Sequence, residues 1–149
     1  MVRRINSRDI LLVEYNTAQN WYAQIPTKNW LCVLVSDDRE RRYLDEVIVK
    51  IILKDVCWIA TVGKQCEKVH DWADEEILFR KVEEEDEPYL PKHDIMTTWH
   101  HDFEEGIWFS IIAANDAEID IETVVILDMT NGQRQADIQA ALDKAENDK

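Results

Sequence analysis

WLCVLVSDDRERRYLDEVIVKIILKD, residues 30–55, carries the two periods that decide the fold. Its first seven residues, WLCVLVS, form an unbroken apolar run rich in branched side chains. Such a run reads as a strand buried on both faces. From Asp37 onward the period changes. Tyr43, Leu44, Val47, Ile48, Ile51 and Ile52 recur at helical spacing and make one apolar stripe over residues 37–55. Asp37 with Glu40 makes a D-x-x-E capping pattern at its start. A buried strand that feeds an amphipathic helix is one βα unit.

The unit repeats along the chain. VCWIATVG (56–63) is the next strand, closed by Gly63, and CEKVHDWADEEILFR (66–80) is its helix, with Val69, Trp72, Ala73 and Ile77 on one side. The ILFRKVE stretch at its end is open to a second reading as a separate extended piece. DIMTTWH (94–100) is a shorter, Thr-rich strand. DFEEGIWFSIIAAN (102–115) is helical, with Phe103, Ile107, Ile111 and Ala114 aligned, and Asp102 with Glu105 repeats the capping pattern. IETVVILDMT (121–130) is the clearest strand of the chain, and residues 131–149 close with a helix carrying Ile138, Ala141, Leu142 and Ala145. Upstream, DILLVEY (9–15) has strand composition, while residues 16–29 are polar, contain Pro26 and read as loop or a short helical piece. Strands alternating with helices predict a parallel sheet with right-handed connections. The expected fold is therefore α/β: a single domain over 1–149, a three-layer Rossmann-like or flavodoxin-like sandwich of about five mostly parallel strands with helices on both faces.

Composition narrows the function. The chain has 149 residues, 46% of them hydrophobic, enough for one real core. No run of about 18 apolar residues predicts a membrane span, and the apolar part of the N-terminus, Ile10 to Val13, is too short for a signal-peptide core. A cytoplasmic protein is expected. Three cysteines agree: Cys32 and Cys57 lie in apolar runs as small hydrophobes, Cys66 is expected at the surface, and an odd count argues against a disulfide framework. The net charge of −14 is uneven. Residues 1–64 carry ten Lys/Arg against eight Asp/Glu, whereas residues 65–149 carry seven against twenty-three, a balance of −16. Phosphate backbones are repelled by that half, which excludes nucleic acid as a direct partner. An acidic face can steer a basic protein partner, or serve solubility alone. Six tryptophans is a high number; core packing accounts for most of them, and a partly exposed Trp is an interface residue. Only three glycines and three serines occur. There is no GxGxxG, no GxxxxGK[ST] and no GxSxG, so a dinucleotide turn, a P-loop and a nucleophile elbow are all absent.

In an open parallel sheet, ligands bind outside the carboxyl ends of the strands. Those ends hold Ser36, Asp37 and Asp38; Gly63, Lys64 and Cys66; His100, His101 and Asp102; and Asp128 and Thr130. Two chemistries fit them. His100 or His101 with Asp37, Asp38 or Asp128 offers imidazole and carboxylate to a metal, although no complete ligand set is spelled out. Alternatively one histidine oriented by an aspartate does acid–base work. Against both stands a plain structural account. Asp37 and Asp102 serve as helix N-caps worth about 1 kcal/mol each, Asp128 begins a loop, and adjacent strand residues point to opposite faces. Cys66 and His70 are spaced i, i+4, but two ligands do not make a site. The run Glu83, Glu84, Glu85, Asp86 and Glu87 reads as a solvated loop or as a docking edge for a basic partner.

Two resemblances bear on this. VLVSDDRERR is similar to the opening of a response-regulator receiver domain, which would imply that Asp102, near the end of the third strand of the βα series, is the phosphorylated aspartate; no further strand remains for the usual lysine, and the HHD context departs from that pattern. CWIATVGKQCEKVHDWADEE together with TTWHHDFEEGIWF resembles a set of small uncharacterised bacterial α/β proteins over roughly residues 30–130. That resemblance implies a bacterial or phage-related origin and no reaction. The leading expectation is a small acidic protein that binds another protein with a basic surface, as an inhibitor, an immunity-type protein or an accessory subunit, with no nucleic-acid or membrane partner. The alternative is an enzyme or small-ligand or metal binder. There His100 and His101 act as base or ligand, Asp37 and Asp128 orient them, Asp38 and Thr130 line the site, and Lys64 contacts an anion. No cofactor is specified by the sequence.

Overall fold

A computed structural model describes residues 3–83 and 85–148. Six strands form one sheet in the order β1-β2-β6-β3-β4-β5. They are β1 (Arg3–Ile5), β2 (Arg8–Glu14), β3 (Trp30–Val35), β4 (Trp58–Val62), β5 (Met96–His100) and β6 (Thr123–Asp128). All neighbours pair in parallel except β1 with β2. Helix α1 (Arg41–Leu53) joins β3 to β4, α2 (Cys66–Val82) joins β4 to β5, α3 (Phe103–Trp108) follows β5, and α4 (Gln135–Asn147) follows β6. The extra strand arises from Asn6 and Ser7, whose φ angles of 56° and 61° make a two-residue turn. Both central residues of a type I′ hairpin need positive φ, which Asn accepts more readily than most residues.

The central strands alternate between two cores, as a period of 2 demands. Trp30, Cys32 and Leu34 of β3 face one side, with Val47, Ile48, Ile51 and Ile52 of α1 and Val69, Ala73 and Ile77 of α2. Leu31, Val33 and Val35 face the other, with Ile107 of α3 and Ile138, Ala141, Leu142 and Ala145 of α4. Helices therefore cover both faces. The stripes that hold α1 and α4 in place are those the sequence predicts.

Several boundaries move. α1 starts three residues later than its capping pattern suggests, with Glu40 in the cap position and no side-chain cap. Asp37 is thus not a helix cap. α2 continues unbroken to Val82, so ILFRKVE is helix rather than a separate extended piece. Asp102 does cap α3, accepting the Glu105 N–H at 3.0 Å. Beyond Trp108 the chain widens into a π-helical turn, Phe109–Ala113. Such turns leave carbonyls without their usual partners. Here Arg8 donates to the carbonyls of Ser110, Ile111 and Ala114, and Asn6 donates to that of Ile111. Gly106 lets α3 approach the sheet: a Cβ there would lie 2.5 Å from Val62 Cγ1 and 2.8 Å from His100 Cβ. Among the described residues, no helix is long and apolar enough to cross a membrane.

Candidate functional site

Because β2, β6, β3, β4 and β5 run in parallel, the predicted site residues do share one edge of the sheet. They do not share one crevice. The last strand in sequence, β6, inserts between β2 and β3, while β5 forms the outer edge. Asp128 and His100 are thus three strand spacings apart, about 14 Å at roughly 4.8 Å per strand.

Around β6 the loops turn to opposite faces. The chain after β2 and that after β3 run to the α1 side, and the chain after β6 runs to α4. Two cavities of about 410 Å³ open there. One has an apolar floor of Leu12, Ile126 and Ile138 and a polar rim of Glu14, Asp128, Asn131 and Gln135. The other is lined by Asp38, Arg39, Tyr43, Thr130 and Asn131.

The polar groups between them are largely committed to one another. Asp37 accepts the Lys64 N–H at 2.9 Å and the Arg134 guanidinium at 3.0 Å. It thereby ties the ends of β3 and β4 to the start of α4. Arg134 also pairs with Asp137 and lies 4.0 Å over the Phe103 ring. Asp128 Oδ1 accepts both the N–H and the hydroxyl of Thr130, and Thr130 Oγ1 accepts the Arg134 N–H. That set closes the turn before α4, a local use of Asp and Thr side chains. Arg39 donates to the Met129 carbonyl and to Asn131 Oδ1 and lies 5.2 Å over the Tyr15 ring. Burial, followed by the hydrogen bond to Glu46, pushes the Tyr15 phenol up to about 12. Asp38 and Lys64 are exposed.

The histidines sit on opposite sides of β5. His100 faces α3, with its ring 4.9 Å from that of Phe109 and Nε2 3.0 Å from Thr98 Oγ1. Burial pushes its pKa below the ordinary value, as it disfavours the charged imidazolium. His101 turns the other way. Its side chain is 72% exposed, 3.6 Å from Glu67 and 3.7 Å from Cys66 Sγ. Cys66 is buried rather than exposed, and burial pushes its thiol up. The thiolate that nucleophilic chemistry needs is therefore disfavoured. His70, four residues on, bonds instead with Asp71, Asp74 and Thr97. Among the described residues, no group of three His, Cys, Asp or Glu side chains is placed to hold a metal ion.

The outer edge of β5 is of another kind. Whereas β3 and β4 are buried throughout, β5 is half exposed. Met96 and Trp99 are each 45% exposed. Leu78 and Val82 add exposed apolar side chains along α2, four and eight residues beyond Asp74, on the side of β5 that carries Thr97 and Trp99, whereas Met96 lies on the other face. The other tryptophans are core or half-buried. Glu85, Asp86 and Glu87 are exposed beyond the end of α2 and Glu83 is half-buried; Glu84 lies outside the described residues. The arginines at 39 and 134 were not singled out by sequence reasoning, and nothing in their sequence neighbourhood marks them.

A family described as a domain of unknown function, DUF7684, matches residues 10–145. The match takes in every element except β1, the first two residues of β2 and the last two of α4. Comparison with curated proteins gives no match, and neither does comparison with solved structures.

Proposed function

The chain belongs to the DUF7684 family, and from its own geometry we propose that it is an acidic protein-binding module whose partner presents a basic surface. One observation carries this reading: the large exposed apolar side chains of β5 and α2, Met96, Trp99, Leu78, Phe79 and Val82, lie in the half of the chain that carries a balance of −16. Exposed aromatic and aliphatic groups in a region of net negative charge favour a partner of the opposite sign, although Arg80 and Lys81 stand beside Leu78 and Val82 in the last turn of α2. The committed state of Asp37, Asp128 and Thr130 and the separation of His100 from His101 weigh in the same direction. We read the two cores as the layers of a Rossmann-like three-layer sandwich, and three free cysteines suit a cytoplasmic setting.

The test is capture of partners from a host lysate with tagged wild type, a Trp99→Glu variant, and a chain in which residues 83–87 are neutralised. A stoichiometric basic partner lost with Trp99→Glu supports the reading. If wild type retains no protein across a range of salt, the reading fails. A second reading, binding of a small ligand, is favoured by the cavity with Leu12 and Ile138 on its floor and Glu14 and Asp128 on its rim. Ligand-dependent stabilisation abolished by Leu12→Lys would support it.

A further inference from the structure

We propose that the outer edge of β5 is the docking site for an extended basic segment of the partner, which joins the sheet as a seventh strand. This rests on the protein-binding reading above and states how that binding is made.

The backbone supplies the template. The Met96 N–H donates to the Cys57 carbonyl at 3.0 Å. In a parallel pair, alternate residues bond to a given neighbour. Met96, Thr98 and His100 therefore face β4, and the backbone N–H and C=O of Thr97 and Trp99 face outward. Among the described residues, no strand lies on that side. Edges are commonly blunted by proline, a bulge or a charge on the strand. MTTWH contains no proline and no Lys, Arg, Asp or Glu, and its five residues pair with β4 in unbroken register.

The flanking side chains say which strand fits. On one face the Thr97 hydroxyl donates to Asp74 at 2.6 Å, and the Trp99 ring stands 4.6 Å from that of His70. On the other face Trp58 and Met96 floor a cavity of about 280 Å³. Asp94, Asp116 and Glu118 stand at its rim. An apolar floor under carboxylates accommodates a long cationic side chain, stem against the indole and thioether, head at the rim. A strand presenting Lys or Arg at alternate positions places one such side chain there. A second copy of this chain is the poorer occupant. Each copy carries a net charge of −14, and pairing two β5 edges would bring their carboxylates together.

The experiment titrates the ¹⁵N-labelled full chain with a capped Val-Lys-Val-Lys-Val-Lys peptide at low salt. Its controls are the Val-Glu counterpart and two Val-Lys peptides N-methylated on one or the other set of alternate amides. Saturable binding should perturb the Thr97 and Trp99 amides and slow their hydrogen exchange. The Val-Glu peptide should bind at least about tenfold more weakly. One of the two methylated peptides should lose about fivefold per blocked amide, the net worth of one hydrogen bond. Asp116→Asn with Glu118→Gln should weaken the Val-Lys peptide several-fold without moving the perturbed amides. Equal binding of both methylated peptides and the parent overturns strand addition, as does absence of saturable binding. Perturbation centred on the cavities around β6 overturns it too. So does a concentration-dependent dimer that excludes the peptide. Thr97→Pro removes an outward N–H while leaving the β4 ladder. If that variant still captures the lysate partner while Leu78→Glu with Val82→Glu does not, strand addition fails and the protein-binding reading stands. Capture of nothing by wild type fails the reading itself.

Discussion

Replacing Asp37 with alanine should cost the fold about 3 kcal/mol. Asp37 and Arg134 have side chains only 14% and 20% exposed. Their contact is therefore not a solvated surface pair of negligible worth. A hydrogen bond to a charged group contributes about 1.5–3 kcal/mol, and the Lys64 N–H that loses its acceptor adds about 1 kcal/mol. Arg134 keeps Asp137 and the Phe103 ring, which limits the damage on its side. For a domain of this length, about 3 kcal/mol lowers Tm by roughly 6–12 °C. Asp37→Asn retains an acceptor for the Lys64 N–H and should cost about half as much. The assay is urea unfolding of wild type, Asp37→Ala, Arg134→Ala and the double variant. The cycle should give a coupling of about 1–2 kcal/mol, whereas Asp137→Ala, at an exposed partner, should fall within about 0.5 kcal/mol of wild type. A cost below about 0.5 kcal/mol for Asp37→Ala, or a coupling near zero, would refute the view that this carboxylate ties the strand ends together.

Arg8→Met should destabilise the chain by about 2–3 kcal/mol, because the Ser110, Ile111 and Ala114 carbonyls lose a charged donor; hydrogen exchange should rise first in residues 109–114, and uniform loss of protection would argue against a local role. His100 gives a pH dependence. Its folded pKa is lowered, so the unfolded chain binds the proton more readily, and stability falls as pH drops below the ordinary value of 6.5. The stability of His100→Gln measured against wild type should therefore improve on acidification from neutral pH; a difference independent of pH would place the imidazole in solvent.

The elements of this fold are legible because burial leaves a period. WLCVLV is buried throughout and TVVILD from Val124 onward, and their runs announce it; the stripe over Leu44 to Ile52 announces α1. Strand order leaves no such trace. Nothing in IETVVILDMT tells that β6 slots between β2 and β3, and that placement alone parts Asp128 from His100. The three-residue β1 is too short to show alternation, and its turn uses Asn-Ser instead of the commoner Asn-Gly. Side-chain direction at the end of β5 follows from strand alternation, which sets adjacent residues on opposite faces. His100 obeys the strand, His101 does not share its face, and Cys66 is buried, contrary to the surface position expected of it. Asp37 has the composition of a cap but binds across the sheet, 27 residues away to Lys64 and 97 to Arg134.

The open edge itself can be read from composition. MTTWH is short and Thr-rich beside the continuous apolar runs of β3 and β6, and none of its residues is fully buried, where theirs almost all are. Its surroundings are harder to interpret, since one arrangement of charge answers two needs. Asp74, Asp94, Asp116 and Glu118 would keep the edges of two copies apart, and in the proposed complex the same groups would draw a basic strand toward Thr97 and Trp99. Salt separates these roles. At 0.1 M the Debye length is about 10 Å, and it shortens as salt rises. Screening removes the repulsion between copies and the attraction for a basic segment together. If the charges serve only to prevent self-pairing, added salt should promote dimers of this chain. If they recognise a partner, added salt should release it.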